Sequence, residues 1–279
     1  MPRLVPSPTV LVFDSGLGGL TVEREIAKAR PDAVIVYVAD DAAFPYGALE
    51  EAQLAERVLA VMQQSIETYA PDIVVIACNT ASTLVLPKLR ARFSIPFVGT
   101  VPAIKPACAS SRSKLVSVLG TEATVRREYT KALIREFAAG CAVTLVGSPR
   151  LAGLAEAHLR GEPIADEAIA AEIAPCFVQN GAARTDTVVL ACTHYPLLLD
   201  RLANLAPWPV TWLDPAPAIA RRVVELIGPP QGDRPRLAPR AVFTSGRSPS
   251  AALATALARF GFAEGARPIV QARTDAGSG

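Results

Sequence analysis

Val74-Val75-Ile76-Ala77-Cys78-Asn79-Thr80 recurs later in the chain as Val188-Val189-Leu190-Ala191-Cys192-Thr193-His194. Each copy is an apolar run of strand length that ends in Ala-Cys, passes through polar residues and opens a helical stretch. An unbroken apolar run, without alternation, describes a strand covered on both faces, as in a parallel sheet. The repeat predicts two similar α/β lobes, each presenting one strand-end cysteine to a shared cleft.

The pattern extends along the chain. Strands are predicted at Thr9–Phe13, Val34–Val38, Ile73–Ala77, Phe97–Gly99, Leu115–Leu119, Val143–Val146, Thr187–Ala191, Val210–Leu213 and Ala241–Thr244. Helical spacing marks Leu20–Ala29, Leu49–Tyr69, Thr83–Phe93, Ala123–Phe137, Ala165–Val178, Ala216–Ile227 and Ala251–Phe260. Strand followed by helix, repeated, is the signature of α/β architecture: mostly parallel sheets flanked by helices, with ligands at the carboxyl ends of the strands. Gly99, Pro102 and Pro106 interrupt the pattern and place a lobe boundary there. The expected division is lobe one at 1–101 plus 210–279, carrying Asp14 and Cys78, and lobe two at 102–209, carrying Cys192 and His194. Pro229–Pro239 reads as a surface loop and the tail beyond Thr274 as frayed.

Composition narrows the function. Of 279 residues 51% are apolar, and 28 basic side chains against 26 acidic ones leave a net charge of +2, which gives no electrostatic footprint for nucleic acid. Mean hydropathy is +0.30, yet no apolar run approaches the roughly 18–20 residues of a membrane span. Thr9–Phe13 is too short for the core of a signal peptide, so a cytoplasmic protein is expected. Five widely spaced cysteines without a Cys-x-x-Cys, and only two histidines, point away from disulfides and from a metal site.

Cysteine chemistry therefore means free thiols. A cysteine between a strand end and a helix N-terminus sits where N–H groups favour the thiolate. Cys78 and Cys192 share that setting. Cys108, Cys141 and Cys176 read as small buried hydrophobes, and His158 lies in a featureless Ala/Leu helix. His194, two residues after Cys192, is placed to orient or activate it. Phe13-Asp14-Ser15-Gly16-Leu17-Gly18-Gly19 ends a strand in a glycine loop that lets amides approach an anion, although Gly-x-Gly-x-x-Gly spacing is absent. Asp14 reads equally as a helix cap or a catalytic group. Asp40-Asp41 and an exposed Tyr46 in Phe44-Pro45-Tyr46-Gly47 form a ligand wall or a solvated loop. Asn79, Thr80, Ser82, Thr121 and Thr193 add neutral donors at strand ends, and Thr124 reads as a cap. Two thiols across a cleft suit inversion of a tetrahedral carbon, one as base and the other as acid, with no cofactor.

Five blocks in order carry a family resemblance: Phe13–Gly19, Pro45–Gly47, Ala77-Cys78-Asn79-Thr80-Ala81-Ser82, Gly120-Thr121-Glu122-Ala123-Thr124 and Cys192-Thr193-His194-Tyr195-Pro196. Together they resemble bacterial glutamate racemase, of the aspartate/glutamate racemase superfamily. The resemblance implies cofactor-independent interconversion of L- and D-glutamate for peptidoglycan synthesis. It assigns Cys78 and Cys192 as the acid/base pair, Asp14 assisting Cys78, and His194 assisting Cys192. Asp40 and Glu156 become auxiliary acids. Substrate contacts would come from Asp14, Ser15, Pro45, Tyr46, Gly47, Asn79, Thr80, Thr121, Thr193 and His194. Asp41-Ala42-Ala43 stands where the family commonly has Thr-Ala-Arg, and Gly147–Leu151 departs from its usual Cys-Pro-rich stretch. No N-terminal extension of the nucleotide-activated kind is evident, so no such activator is expected. Glutamate is the implied partner, with no nucleic acid and no membrane, and a homodimer is left open. The rivals are an aspartate racemase, a hydrolase or decarboxylase using one thiol, and a non-enzymatic regulator. The second Ala-Cys turn would be surplus in the one-thiol enzymes.

Overall fold

A computed structural model describes residues 7–231 and 238–263. The first run is β1 (Thr9–Asp14), α1 (Leu20–Ala29), β2 (Val34–Ala39), α2 (Glu51–Tyr69), β3 (Ile73–Ile76), α3 (Asn79–Arg92) and β4 (Phe97–Gly99). The chain crosses through α4 (Ile104–Ser110) into β5 (Leu115–Thr121), α5 (Glu122–Arg126), α6 (Glu128–Phe137), β6 (Ala142–Ser148), α7 (Leu151–Leu159) and α8 (Asp166–Ile173). It continues through a small hairpin of β7 (Gln179–Asn180) and β8 (Ala183–Arg184) to β9 (Thr187–Ala191), α9 (Leu199–Leu205) and β10 (Thr211–Leu213). It returns by α10 (Ala216–Ile227) to β11 (Arg240–Phe243) and α11 (Ala251–Ala258).

Two parallel sheets result, ordered β11-β2-β1-β3-β4 and β10-β9-β5-β6. Their apolar strands are covered on both faces, as the sequence runs predict. In the first sheet Val10 and Val12 point toward α1, α10 and α11, packing with Leu20, Ile26, Val223 and Leu257, while Leu11 and Phe13 point toward α2 and α3, with Val58, Met62, Val85 and Leu89. The second sheet repeats this plan, with Val188 and Leu190 on the α7–α9 side and Val118 and Val189 on the α4–α6 side. Strand side chains alternate between faces, so each lobe has two half-cores separated by one sheet.

Register decides where the site lies. Asp14 pairs with Ala39 and Phe13 with Ile76, so Asp14, Asp40 and Cys78 leave the first sheet at one edge. Gly120 pairs with Ala191 and Thr121 with Ser148, so Thr121 and Cys192 leave the second sheet together.

Several elements differ from expectation. The sequence places the strand at Val210–Leu213 in lobe one, but Thr211–Leu213 pairs with β9 in the second sheet, whereas β11 pairs with β2 in the first. The return crossing therefore falls after Leu213. α3 begins at Asn79 rather than Thr83, which puts Asn79 and Thr80 in a first helical turn directly after Cys78. The predicted helix Ala123–Phe137 is broken at Arg127, whose φ of −64° and ψ of 141° are extended. α8 stops at Ile173, and a short 3-10 turn holding Pro175 follows. Among the described residues no helix is long and apolar enough to cross a membrane. The expected tail beyond Thr274, and 232–237 of the expected proline loop, lie outside the described residues.

Candidate active site

The strand ends of the two lobes meet along the glycine loop between β1 and α1. A Cβ at Gly16 would lie 2.3 Å from Glu156 Oε1, and one at Gly18 would lie 2.4 Å from His194 Nδ1 and 2.6 Å from Thr193 Oγ1. No side chain fits there, so backbone of lobe one lies directly against side chains of lobe two. Hydrogen bonds join the two surfaces: Thr193 Oγ1 donates to Asp14 Oδ1 at 3.0 Å, and the Leu17 N–H donates to Glu156 Oε1 at 2.6 Å. The anion expected at this loop is thus a carboxylate of the protein itself, Glu156, reached across the seam.

Glu156 anchors the lobe-two half-site. Its Oε1 lies 3.0 Å from His194 Nε2, and Arg160 donates to its Oε2 at 3.2 Å. His194 Nδ1 lies 3.8 Å from Cys192 Sγ. Burial by itself would lower the His194 pKa, but its bonds to Cys192 and Glu156 outweigh this and raise it well above 6.5. Burial conversely pushes the Glu156 carboxyl up, and the bonds from His194 and the Leu17 N–H more than offset it, leaving it lowered. The Gly18 N–H also donates to His194 Nε2 at 3.2 Å, so the ring is held between the lobe-one loop, the Glu156 carboxyl and the Cys192 sulfur. Phe44 covers the ring, with centroids 5.3 Å apart.

The lobe-one thiol has different surroundings. Cys78 stands at the N-cap of α3, and its Sγ–H donates to Ser15 Oγ at 3.5 Å. Burial, then the Asp14 charge, pushes this thiol up to about 12, against the pull of the Ala81 N–H and Ser15. Cys192 also acts on it, so the two sulfurs lie within electrostatic reach of each other. Asp14 is fully buried and accepts from the Gly16 N–H at 3.1 Å as well as from Thr193. Burial raises its pKa, against the lowering charge of His194.

Neutral donors line the space between. Both amide atoms of Asn79 are buried with no partner among the described residues, which marks a place for a polar ligand. Thr80, Thr121 and Thr124 form a hydroxyl triangle across the lobes, with Oγ1 separations of 3.0, 3.2 and 2.9 Å. Thr121, not Thr124, caps α5, and the Thr124 hydroxyl faces the triangle. Gly47 lies opposite Thr121 across the cleft, and Pro45 is exposed beside it.

Three sequence expectations change here. Tyr46 is buried, not exposed, because its hydroxyl donates to Asp40 Oδ2 at 2.5 Å. Asp40 itself is taken up by Tyr46, Arg57 and Thr244, the last at 2.6 Å. The geometry makes it a holder of the Pro45–Gly47 turn. Asp41, the added acid, accepts from the Ser245 N–H at 2.9 Å and from the Ser245 hydroxyl, and so fixes the loop after β11. Sequence reasoning did not find Arg57, Arg127, Arg160 or Phe44. A lone arginine or phenylalanine carries no local pattern; Arg160 lies only four residues from Glu156, but the partners of Arg57, Arg127 and Phe44 are 17 or more residues away.

Known proteins resemble this chain in sequence and in fold. A glutamate racemase of Mesorhizobium japonicum is 57% identical over 241 residues, covering 86% of this chain and 92% of the relative. One from Brucella ovis is 57% identical over 227 residues, covering 81% and 82%. The fold matches Escherichia coli glutamate racemase, solved with L-glutamate and the activator UDP-MurNAc-Ala, at a TM-score of 0.84 and 41% identity, covering 92% of this chain and 96% of that one. A Bacillus anthracis glutamate racemase isoform matches at a TM-score of 0.76 and 26% identity, covering 92% and 94%. The matched region of the family spans residues 21–223, and the chain belongs to the Asp/Glu/Hydantoin racemase family.

Proposed function

We propose that this enzyme interconverts L- and D-glutamate without a cofactor, using Cys78 and Cys192 as the two acid/base groups, and that it supplies D-glutamate for peptidoglycan. The observation that carries the reading is a pair of buried thiols on equivalent strand ends of two lobes sharing one hydrogen-bonded seam. The likeness to relatives named glutamate racemase supports the substrate.

The Cys192 thiolate, facing the His194 ring, removes the α-proton of the L-enantiomer. The Cys78 thiol gives its proton to the opposite face of the carbanion, leaving a thiolate on Cys78 and a thiol on Cys192. The reverse direction exchanges the roles, and solvent resets both sulfurs between turnovers. The α-proton is a weak acid, so a dry site matters, and both sulfurs are nearly fully buried. Asp14 is placed to face the substrate ammonium. The unpartnered Asn79 amide and the Thr80–Thr121–Thr124 hydroxyls are placed to bind its carboxylates.

The test is turnover of L-glutamate, L-aspartate and L-alanine by the purified protein in deuterated water. Glutamate alone should racemise at a substantial rate and gain deuterium at Cα. Cys78→Ser and Cys192→Ser should each abolish racemisation in both directions. Near-full activity in either variant would sink the two-thiol mechanism, and faster turnover of aspartate would sink the substrate assignment.

A further inference from the structure

The two thiols have unequal surroundings. Cys192 has the His194 ring at its sulfur, with Nδ1 at 3.8 Å. Cys78 has none: it is faced by Asp14 and Ser15 after β1, by the α3 N-terminus, by Tyr37 and Tyr46 with pKa values raised by burial, and by Cys192 from lobe two. Apart from the N–H groups of α3 and the Ser15 hydroxyl, these groups oppose a negative sulfur. A thiolate there needs a cation, and among the described residues of lobe one none of the groups that act most strongly on the sulfur is a cation.

Lobe two supplies one. The helix expected over Ala123–Phe137 breaks at Arg127, and the guanidinium projects across the cleft into lobe one. There it donates to the Thr80 carbonyl and, at 2.7 Å, to Thr83 Oγ1, both in the first turns of the helix that Cys78 caps. Its Nε also lies 3.3 Å from Glu51 of α2. The Arg127 side chain is only 9% exposed, whereas Glu51 is 66% exposed, so much of the guanidinium charge is left for the interior. Thr80, which it holds, belongs to the hydroxyl triangle, so one side chain fixes both the thiol's helix and the cleft's donor cluster.

Building on the racemase reading, we propose that Arg127 is the positioning residue of the lobe-one thiol, delivering from lobe two the positive charge and the fixed helix turn that Cys78 needs to work as a base. Its reach across the seam ties the readiness of Cys78 to the approach of the lobes, while His194 serves Cys192 within its own lobe. Burial lowers the Arg127 pKa and the Glu51 and Cys78 charges raise it, which accords with a guanidinium that senses the sulfur.

The test measures Cys78 directly. In a Cys192→Ser background, the rate of alkylation of Cys78 by iodoacetamide is followed against pH, with the modified peptide identified by mass. Loosening the lobes scales the whole curve, whereas losing a nearby cation moves its midpoint. Arg127→Met should shift the midpoint upward by about half a pH unit or more, an approximately threefold loss of thiolate at a given pH below it. Arg127→Lys should keep most of the shift from appearing, and Glu51→Gln should leave the midpoint where it is. An unmoved midpoint in Arg127→Met overturns the proposal. Should that variant fail to fold, Arg127→Gln takes its place, with the same upward displacement of about half a pH unit expected and an unmoved midpoint overturning the proposal. Failure of the racemase reading would show separately, as absent turnover in the wild type with the alkylation shift intact.

Discussion

Gly18→Ala is the sharpest perturbation of the seam. The added methyl would lie 2.4 Å from His194 Nδ1, 2.6 Å from the His194 backbone nitrogen and 2.6 Å from Thr193 Oγ1, where ordinary contact begins at 3.4 Å. Relief requires the lobes, or the His194 ring, to move by about 1 Å. The ring cannot rotate away freely, because Glu156 and Phe44 hold it. Overpacking of this kind costs about 1–3 kcal/mol, which a domain of this size can survive. A displacement of about 1 Å at reacting groups costs on the order of a hundredfold in rate. Racemisation followed by loss of optical activity should therefore fall about a hundredfold in kcat/KM, while far-ultraviolet circular dichroism and a cooperative melt report a folded protein. Gly153→Ala is the control, since among the described residues nothing outside its own helix backbone lies within 4 Å of its Cβ position in α7. It should leave the rate unchanged and stabilise by up to about 1 kcal/mol. A Gly18→Ala enzyme running near the wild-type rate would show that the seam does not set the site.

Two further substitutions read out pH. Glu156→Gln removes the partner of His194: the Glu156 contribution to stability is present above pH 4.5 and lost as pH falls through its depressed value, while that of His194 is complete below 6.5 and lost as pH rises through its raised value. The Tm difference from wild type should be greatest between those limits, and a difference that stays flat from pH 4 to 9 refutes the ion pair. Asp186 is opposed by burial, but the Ser113 N–H, the Ser111 and Thr187 hydroxyls and the Arg112 N–H hold its carboxyl down to about 2. Asp186→Asn should cost about 1 kcal/mol at neutral pH once solvent screening is allowed for, with the loss shrinking as pH falls from 3.8 through 2 in urea titrations; a pH-independent cost contradicts it.

What the sequence disclosed depended on range. Ile73–Ala77 and Thr187–Ala191 were legible because a strand buried on both faces must be apolar throughout, and Ala-Cys marked where it ended. Thr211–Leu213 was assigned to the wrong sheet because three residues at a sheet edge carry no sign of which neighbour they pair with. The break at Arg127 was invisible, since neither proline nor glycine stands there and the extended backbone is held by partners in another lobe. Tyr46 read as exposed beside Pro45 and Gly47, yet Asp40 draws it inward through a bond that only the folded strand end creates. Glu156 came from the family resemblance alone; Leu17 and His194 meet it only once the lobes are assembled.

The chain passes between the lobes twice, after Gly99 and after Leu213, and both passages border one cavity of about 620 Å³ walled by Ile104, Phe137 and Ile219. Two neighbouring straps leave a pair of rigid bodies one easy motion, a pivot about the line that runs through them. Sliding and twisting are resisted because each would stretch one strap against the other. Such a pivot parts the strand ends like the covers of a book and returns them to the same page. The straps then bring the two covers back along one line, and the Thr193–Asp14 and Leu17–Glu156 bonds of the seam fix the sulfurs in register where the covers meet.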